Sequence, residues 1–352
     1  MEPNIQYATT ADGVKIAFWT VGSGRPLVLT PLTPLGHIQM EWRIPGFRRW
    51  YERLAEQRML ISYNSRGSGL SDRDPEDYSL SAHVRDLEAV VDRADLKDFD
   101  LLGVFHCGAV AMAYAAANPD RVSRLILWGG YLRGADYGLS PRIDASRALL
   151  AKDWEAYVET FALYIFGWSD PESASRTVDL VRESISREGM IRAVNELDKF
   201  DVTDAAPSIR IPTLVMQARK APWPPLDAAR SVSAAIPNAR LSIIEGEHVH
   251  PFGNDEPSIH RAIDEFLGTP ARSDVPPPLE GAVVTGKTPG GLTEREAQIL
   301  GLVAAGHSNK EIAAELSVTV NTVERHLVNI YGKIGARGRA DATAYALKND
   351  LA

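Results

Sequence analysis

Cysteine is almost absent from this chain. Of its 352 residues only Cys107 is one, which excludes an internal disulfide framework and any metal site built on paired cysteines. Also missing are a bilayer-length apolar run and a charged-then-apolar leader at the start. Positive charge is not in excess either, since 38 Lys and Arg stand against 46 Asp and Glu, a net charge of -8. A surface that coats nucleic acid or anionic lipid by bulk charge is thereby excluded, and any contact with DNA has to be local. A reducing, cytoplasmic setting without membrane contact is expected, and no metal or cofactor is called for. The length suits one large α/β domain plus a small module.

Short apolar runs recur along the first three quarters of the chain. Residues 4–24 read as two strands joined at Asp12-Gly13, a dipeptide that accepts positive φ. PLVLTPL (26–32), MLISY (59–63), FDLLG (99–103), VSRLILWG (122–129), IPTLVMQ (211–217) and ARLSIIEG (239–246) follow, with helical patterns such as 80–96 and 108–118 between them. Continuous apolar strands of this kind are buried on both faces, so a mostly parallel sheet flanked by helices is expected. The rhythm breaks at about 131–210. That interval carries only amphipathic helical patterns with Trp154, Tyr157, Phe161, Tyr164, Phe166 and Trp168, as a helical cap over the strand ends would. A segment at 269–290, with three consecutive prolines and many small residues, reads as an exposed linker.

From 291 to 352 helix signals return. Thr293 with Glu296 has capping-box spacing, Ser308 or Asn309 opens a short helix, and a turn at SVTV leads into NTVERHLVNIYGKI. In that last helix Val323, Leu327 and Ile330 share one face, and Glu324, Arg325, Val328 and Asn329 another, as a helix-turn-helix recognition helix requires. The whole segment resembles the DNA-binding domain of LuxR/FixJ-type transcription regulators, through LTEREA, GHSNKEIA, TVERH and NIYGK. The resemblance implies that Glu324, Arg325 and Val328 face base edges. It implies phosphate contacts for Lys310, Thr322, Asn329 and Lys333, with Arg337 and Arg339 as further backbone contacts. Seven basic residues balance seven acidic ones from Gly291 onward, so one module should bind weakly. A homodimer on a two-fold symmetric DNA site is expected.

Residues 1–268 resemble α/β-hydrolases in strand order, cap position and the phrases RGSGLSD (66–72), NPDRVSRLIL (118–127) and IPTLVMQAR (211–219). That family presents its nucleophile at a strand-to-helix turn, with acid and histidine following in chain order. Here the turn is Gly103-Val104-Phe105-His106-Cys107, and Phe105 cannot lose a proton or attack a carbonyl. Cys107 falls on the first turn of the following helix. Ala221 stands at the acid's place, while Asp227, further on, suits a helix cap or a solvated charge. His248 follows the last strand where the family's base sits, and His250 comes two residues later. The oxyanion loop is replaced by Thr30-Pro31-Leu32-Thr33-Pro34, which leaves the N–H groups of Leu32 or Thr33 and of His106 to hold a carbonyl oxygen.

The expectation is therefore a ligand-responsive transcription regulator, not an enzyme, whose degenerate hydrolase fold holds a small, mostly apolar molecule. Phe105 would form the pocket floor beside Cys107, with His106, His248 and Thr33 as hydrogen-bonding groups and Trp168 and Trp223 as walls. The competing readings are an active ester or lactone hydrolase fused to a DNA-binding domain and a sensor of a protein partner.

Overall fold

A computed structural model describes residues 3–137, 141–166, 171–252, 254–268, 292 and 294–316. It also describes 323, 326–327, 330–331, 333–334, 336, 338–349 and 351. The chain divides into two compact units, Met1–Asp274 and Val275–Ala352. The expected linker at 269–290 lies outside the described residues.

The first unit is built on one eight-stranded sheet. Its strands are β1 (Asn4–Thr9), β2 (Lys15–Val21), β3 (Arg25–Leu29), β4 (Arg58–Tyr63), β5 (Phe99–Val104), β6 (Val122–Trp128), β7 (Thr213–Ala218) and β8 (Ala239–Ile244). Their order is β1-β2-β4-β3-β5-β6-β7-β8. The pairs β1/β2 and β2/β4 are antiparallel and all later pairs are parallel. The β1–β2 connection turns at Gly13, whose φ is 86°, in the left-handed region that glycine enters without a Cβ clash.

Alternation along the central strands divides the core into two layers. Val28, Leu101, Leu125 and Val215 belong to one buried cluster, and their neighbours Leu27, Leu102, Ile126 and Leu214 to the other. Each such burial contributes roughly 1.5–3 kcal/mol, which is why these strands carry apolar residues on both faces. The expected strand at 26–32 stops at Leu29. Beyond it Pro31 and Pro34 have no N–H for a ladder bond.

Helices cover both faces. α1 (Ile38–Glu41), α2 (Pro45–Ala55), α3 (Leu80–Arg93) and α4 (His106–Ala117) precede β6. Between β6 and β7 come α5 (Gly134–Tyr137), α6 (Pro141–Lys152), α7 (Trp154–Phe166), α8 (Pro171–Ser184) and α9 (Arg187–Leu197). No strand occurs among the described residues of that interval beyond the isolated bridge Arg133–Asp201. α10 (Leu226–Ala235) and α11 (Glu256–Phe266) complete the unit. The chain runs from β3 to β4 on one side and then crosses to β5 on the other. Connections therefore diverge between β3 and β5, leaving a crevice at the carboxyl ends of those two strands.

The second unit contains α12 (Glu294–Ala304), α13 (Asn309–Glu315) and a terminal helix, Arg339–Lys348. Leu292, Ile299, Leu300, Val303, Ile312, Val323, Leu327 and Ile330 share its core. Ser308 forms a reciprocal cap with Glu311: Glu311 N–H donates to Ser308 Oγ at 3.3 Å, and Ser308 N–H donates to Glu311 Oε2 at 2.7 Å. Thr293 lies outside the described residues.

Candidate ligand pocket and nucleic-acid interface

The turn after β5 is the most constrained point of the first unit. Phe105 is the N-cap residue of α4 with φ 46° and ψ -121°, a region that costs a non-glycine residue about 1–3 kcal/mol. Surrounding contacts over-determine it. Phe105 N–H donates to Trp128 O at 2.9 Å, and Gly108 N–H donates to Phe105 O at 2.9 Å. The strand and helix approach so closely at Gly103 that a Cβ there would meet Ala111 Cβ at 2.7 Å and Gly108 Cα at 3.0 Å. The turn thus has the backbone of a nucleophile elbow with a phenyl ring at its apex.

That ring stacks on Trp223, with centroids 5.5 Å apart at 23°, and meets the edge of His250 at 5.6 Å and 82°. It lines a cavity of about 980 Å3, open mouth included, under the cap. The loop after β3 contributes Leu32, Thr33, Pro34 and Leu35, and α2 contributes Phe47. The cap contributes Ser146, Arg147 and Leu150 from α6, Tyr157 and Phe161 from α7, and residues of α8 and α9. Among the described residues lining it none is a carboxylic acid.

The pocket candidates other than Trp168 have an assigned place. His106 lines the cavity, and its Nδ1 is hydrogen-bonded to Tyr131 OH. Burial lowers its pKa to about 3. Cys107, behind the turn, is 1 % exposed, and burial pushes its thiol up to about 12. Thr33 Oγ1 lies 3.0 Å from Cys107 Sγ and 2.9 Å from Ser65 Oγ, and Thr33 N–H also bonds the sulfur. Both Thr33 donors therefore point into the protein rather than toward a bound carbonyl. Trp223 is a wall, and Trp168 lies outside the described residues.

His248 does not line the cavity; His250 does. The reason is the path of the loop after β8. Asn254 fixes it, accepting from His248 N–H at 2.9 Å while its amide donates to His248 O at 3.0 Å and His250 O at 2.6 Å. Gly246 leaves room for this amide, since a Cβ there would lie 2.1 Å from Asn254 Oδ1. Trp128 Nε1–H holds Val249 O at 2.9 Å. His250 is buried, stacked on Phe252 at 4.9 Å, and its pKa is lowered to about 3 by burial and then by His248.

At the position where the acid was expected stands an alanine. Ala221 packs against the core, and Asp227 sits in the first turn of α10, paired with Arg230 at 2.8 Å and 83 % exposed. Arg147 and His250 were missed as site residues by sequence reasoning. Arg147 gives no signal in a polar helix, whereas the HVH repeat offered two imidazoles to choose between.

In the second unit Lys310 is exposed, and Lys333 Nζ donates to buried Glu296 Oε2 at 2.6 Å. Arg339 braces the turn before α13 through Asn309 Oδ1 at 3.2 Å and through His307 O. Thr322, Glu324, Arg325, Val328, Asn329 and Arg337 lie outside the described residues.

Two family models match the chain. Residues 291–346 match the bacterial regulatory proteins of the luxR family, and residues 42–182 match the α/β hydrolase fold. The chain joins an α/β-hydrolase domain to a LuxR-family DNA-binding domain. The hydrolase domain is 28% identical over 237 residues to RutD of Azorhizobium caulinodans, provisionally named a carbamate hydrolase, covering 64% of this chain and 85% of that one. YisY of Bacillus subtilis, an AB hydrolase superfamily protein, is 26% identical over 274 residues, with 74% and 98% covered. An esterase structure from Exiguobacterium antarcticum superposes with a TM-score of 0.65 at 23% identity, covering 75% of this chain and 99% of its own; at that identity the likeness speaks for the fold alone. Among the described residues no helix of this hydrolase–LuxR fusion is long and apolar enough to cross a membrane.

Proposed function

We propose that this chain is a ligand-responsive transcription regulator whose hydrolase domain binds a small, mostly apolar molecule without turning it over. The observation that carries the reading is Phe105 at the apex of an intact elbow, beneath a cavity whose described lining holds no carboxylic acid. A phenyl ring has no proton to give up, and an imidazole without an orienting carboxylate is a poor general base. The burial that holds His106 and His250 neutral suits hydrogen bonding in an apolar pocket. Phe105, Trp223, Leu32 and Thr33 would shape the floor and rim. The Cys107 thiol serves packing.

DNA recognition is assigned to the LuxR-family domain, with Glu324, Arg325 and Val328 toward bases and Lys310, Thr322, Asn329 and Lys333 toward phosphates. Two copies would share a two-fold symmetric site. Leu347 on the terminal helix, 61 % exposed, supports pairing through that helix. Ligand occupancy would bias the regulator only through unequal affinity for two conformations.

The test is turnover against binding on the full chain. Small apolar compounds are expected to raise the melting temperature and shift DNA affinity, with no hydrolysis of aryl esters or lactones above background. Phe105→Ser is expected to stay inactive as well, since neither acid nor oriented base would serve the new hydroxyl. Ester or lactone turnover abolished by His250→Ala or His248→Ala would instead make this an active hydrolase, as the names of its relatives suggest. A stable protein complex with no small-molecule response would make it a protein sensor.

A further inference from the structure

We infer that the pocket selects an electrically neutral ligand and excludes the carboxylate of the same shape, because its one described ionised group, Arg147, is already neutralised by Asp198. This deepens the ligand-binding reading above and rests on it.

Arg147 reaches the cavity from α6, while Asp198 follows the last residue of α9. Both terminal nitrogens of the guanidinium are engaged: Nη1 donates to Asp198 Oδ2 at 2.8 Å and Nη2 to Oδ1 at 2.5 Å. This two-pronged geometry gives arginine–carboxylate pairs both strength and direction. The two side chains remain 29% and 33% exposed, so the pair is only partly withdrawn from water. The other side-chain polar groups of the described lining are the imidazoles of His106 and His250, the indole N–H of Trp223 and the hydroxyls of Ser146, Tyr157, Thr177 and Thr33, the last donating to Ser65. Both imidazoles are uncharged at neutral pH, and hydroxyls carry no charge there.

An entering carboxylate would therefore shed its water with no unpaired cation to receive it among the described lining. Taking Arg147 from Asp198 would only exchange one carboxylate for another and leave Asp198 unpaired. An ammonium ligand fares no better, since no acid is among the described lining residues. A ketone, ester, lactone, amide or alcohol needs only a hydrogen bond, which hydroxyls and neutral imidazoles supply.

The experiment uses methyl ketones and carboxylates of matched skeleton, such as 4-phenylbutan-2-one and 3-phenylpropanoate, titrated calorimetrically into the full-length protein at pH 7.5. Methyl ketones cannot be hydrolysed, so the readout does not depend on catalysis. In the wild type each ketone that binds should bind about tenfold or more tightly than its carboxylate. Asp198→Asn frees the guanidinium, and should strengthen carboxylate binding about tenfold while leaving the ketone within about twofold. The double variant Arg147→Gln with Asp198→Asn removes both charges and should restore the ketone preference. Equal or tighter carboxylate binding in the wild type, no gain in carboxylate affinity in Asp198→Asn, or a gain that persists in the double variant overturns the inference while leaving a ligand pocket in place. Failure of every ketone and every carboxylate to bind overturns the pocket itself, and the inference with it.

Discussion

The turn after β5 and the loop after β7 lie at the same edge of one sheet, yet they are held in opposite ways. The turn keeps its backbone and has changed its residue: Phe105 holds φ 46° although nothing about a phenyl ring favours it. The loop carries Ala221 where the family resemblance leads one to expect an acid, and exposed Asp227 lies beyond it. The difference teaches what holds each in place. The elbow is the crossing of a strand and a helix over Gly103 and Gly108, so its geometry belongs to the core and does not depend on which side chain stands at its apex. A side chain on the loop after β7 is tied to no such crossing.

The largest test of this contrast is acid. His106 and His250 are held neutral in the folded pocket with pKa values near 3, against an ordinary 6.5. Between those values the unfolded chain binds more protons, so stability falls as pH drops below about 6.5 and does not respond to these groups above it. At pH 5 each imidazole costs up to about 2 kcal/mol relative to pH 7.5, at 1.36 kcal/mol per unit, with the partly exposed His106 giving the smaller share. Urea midpoints at the two pH values measure it, and a His106→Gln, His250→Gln double variant should flatten the dependence. An equally steep fall in that variant would mean that the pocket does not hold its imidazoles neutral.

Next in size is the elbow itself. Gly103→Val places a side chain against Ala111 and Gly108 and is expected to destabilise the hydrolase domain by about 3 kcal/mol, read as a lower denaturation midpoint. A change below about 0.5 kcal/mol would show that the crossing has slack and that the turn is not a property of the core.

The same reasoning explains what was legible beforehand. Strand runs such as 99–103 and 122–129 were visible because a strand buried on both faces must be apolar throughout, and the elbow was visible because a close crossing demands small residues at fixed spacing. The strand end at Leu29 was misplaced, since apolar residues continue through Leu32 and only the two prolines mark the exit. The histidine of the pocket was not legible. His248 and His250 differ by two positions on a loop whose course is set by Asn254, and no local pattern in the chain announces a side-chain staple of that kind. Arg147 was invisible for a related reason: its position depends on α6 meeting the end of α9, a contact between segments about fifty residues apart.

The LuxR-family domain extends the comparison to residues that act directly. Arg325→Ala should weaken binding to a specific DNA site by about 1–3 kcal/mol while sparing non-specific DNA, if Arg325 reads a base. Lys333→Ala should weaken all sequences alike. Because Lys333 also pairs with buried Glu296, it should additionally lower the stability of that domain. Equal losses on specific and non-specific DNA in the two variants would refute the division of roles.

The smallest expected effect is the sharpest for the acid's position. Asp227 is the first carboxylate after β7, and its side chain is 83 % exposed and, among the described residues, bound to Arg230 one helical turn away. Exposed pairs of this kind contribute about 0–1 kcal/mol, so Asp227→Asn should change stability by less than about 0.5 kcal/mol and leave ligand affinity and DNA response untouched. If it abolished a measurable turnover, the loop would have to carry Asp227 into the pocket during the reaction. The elbow and the loop would then both be working parts of an enzyme, and Ala221 would mark a displaced acid instead of a missing one.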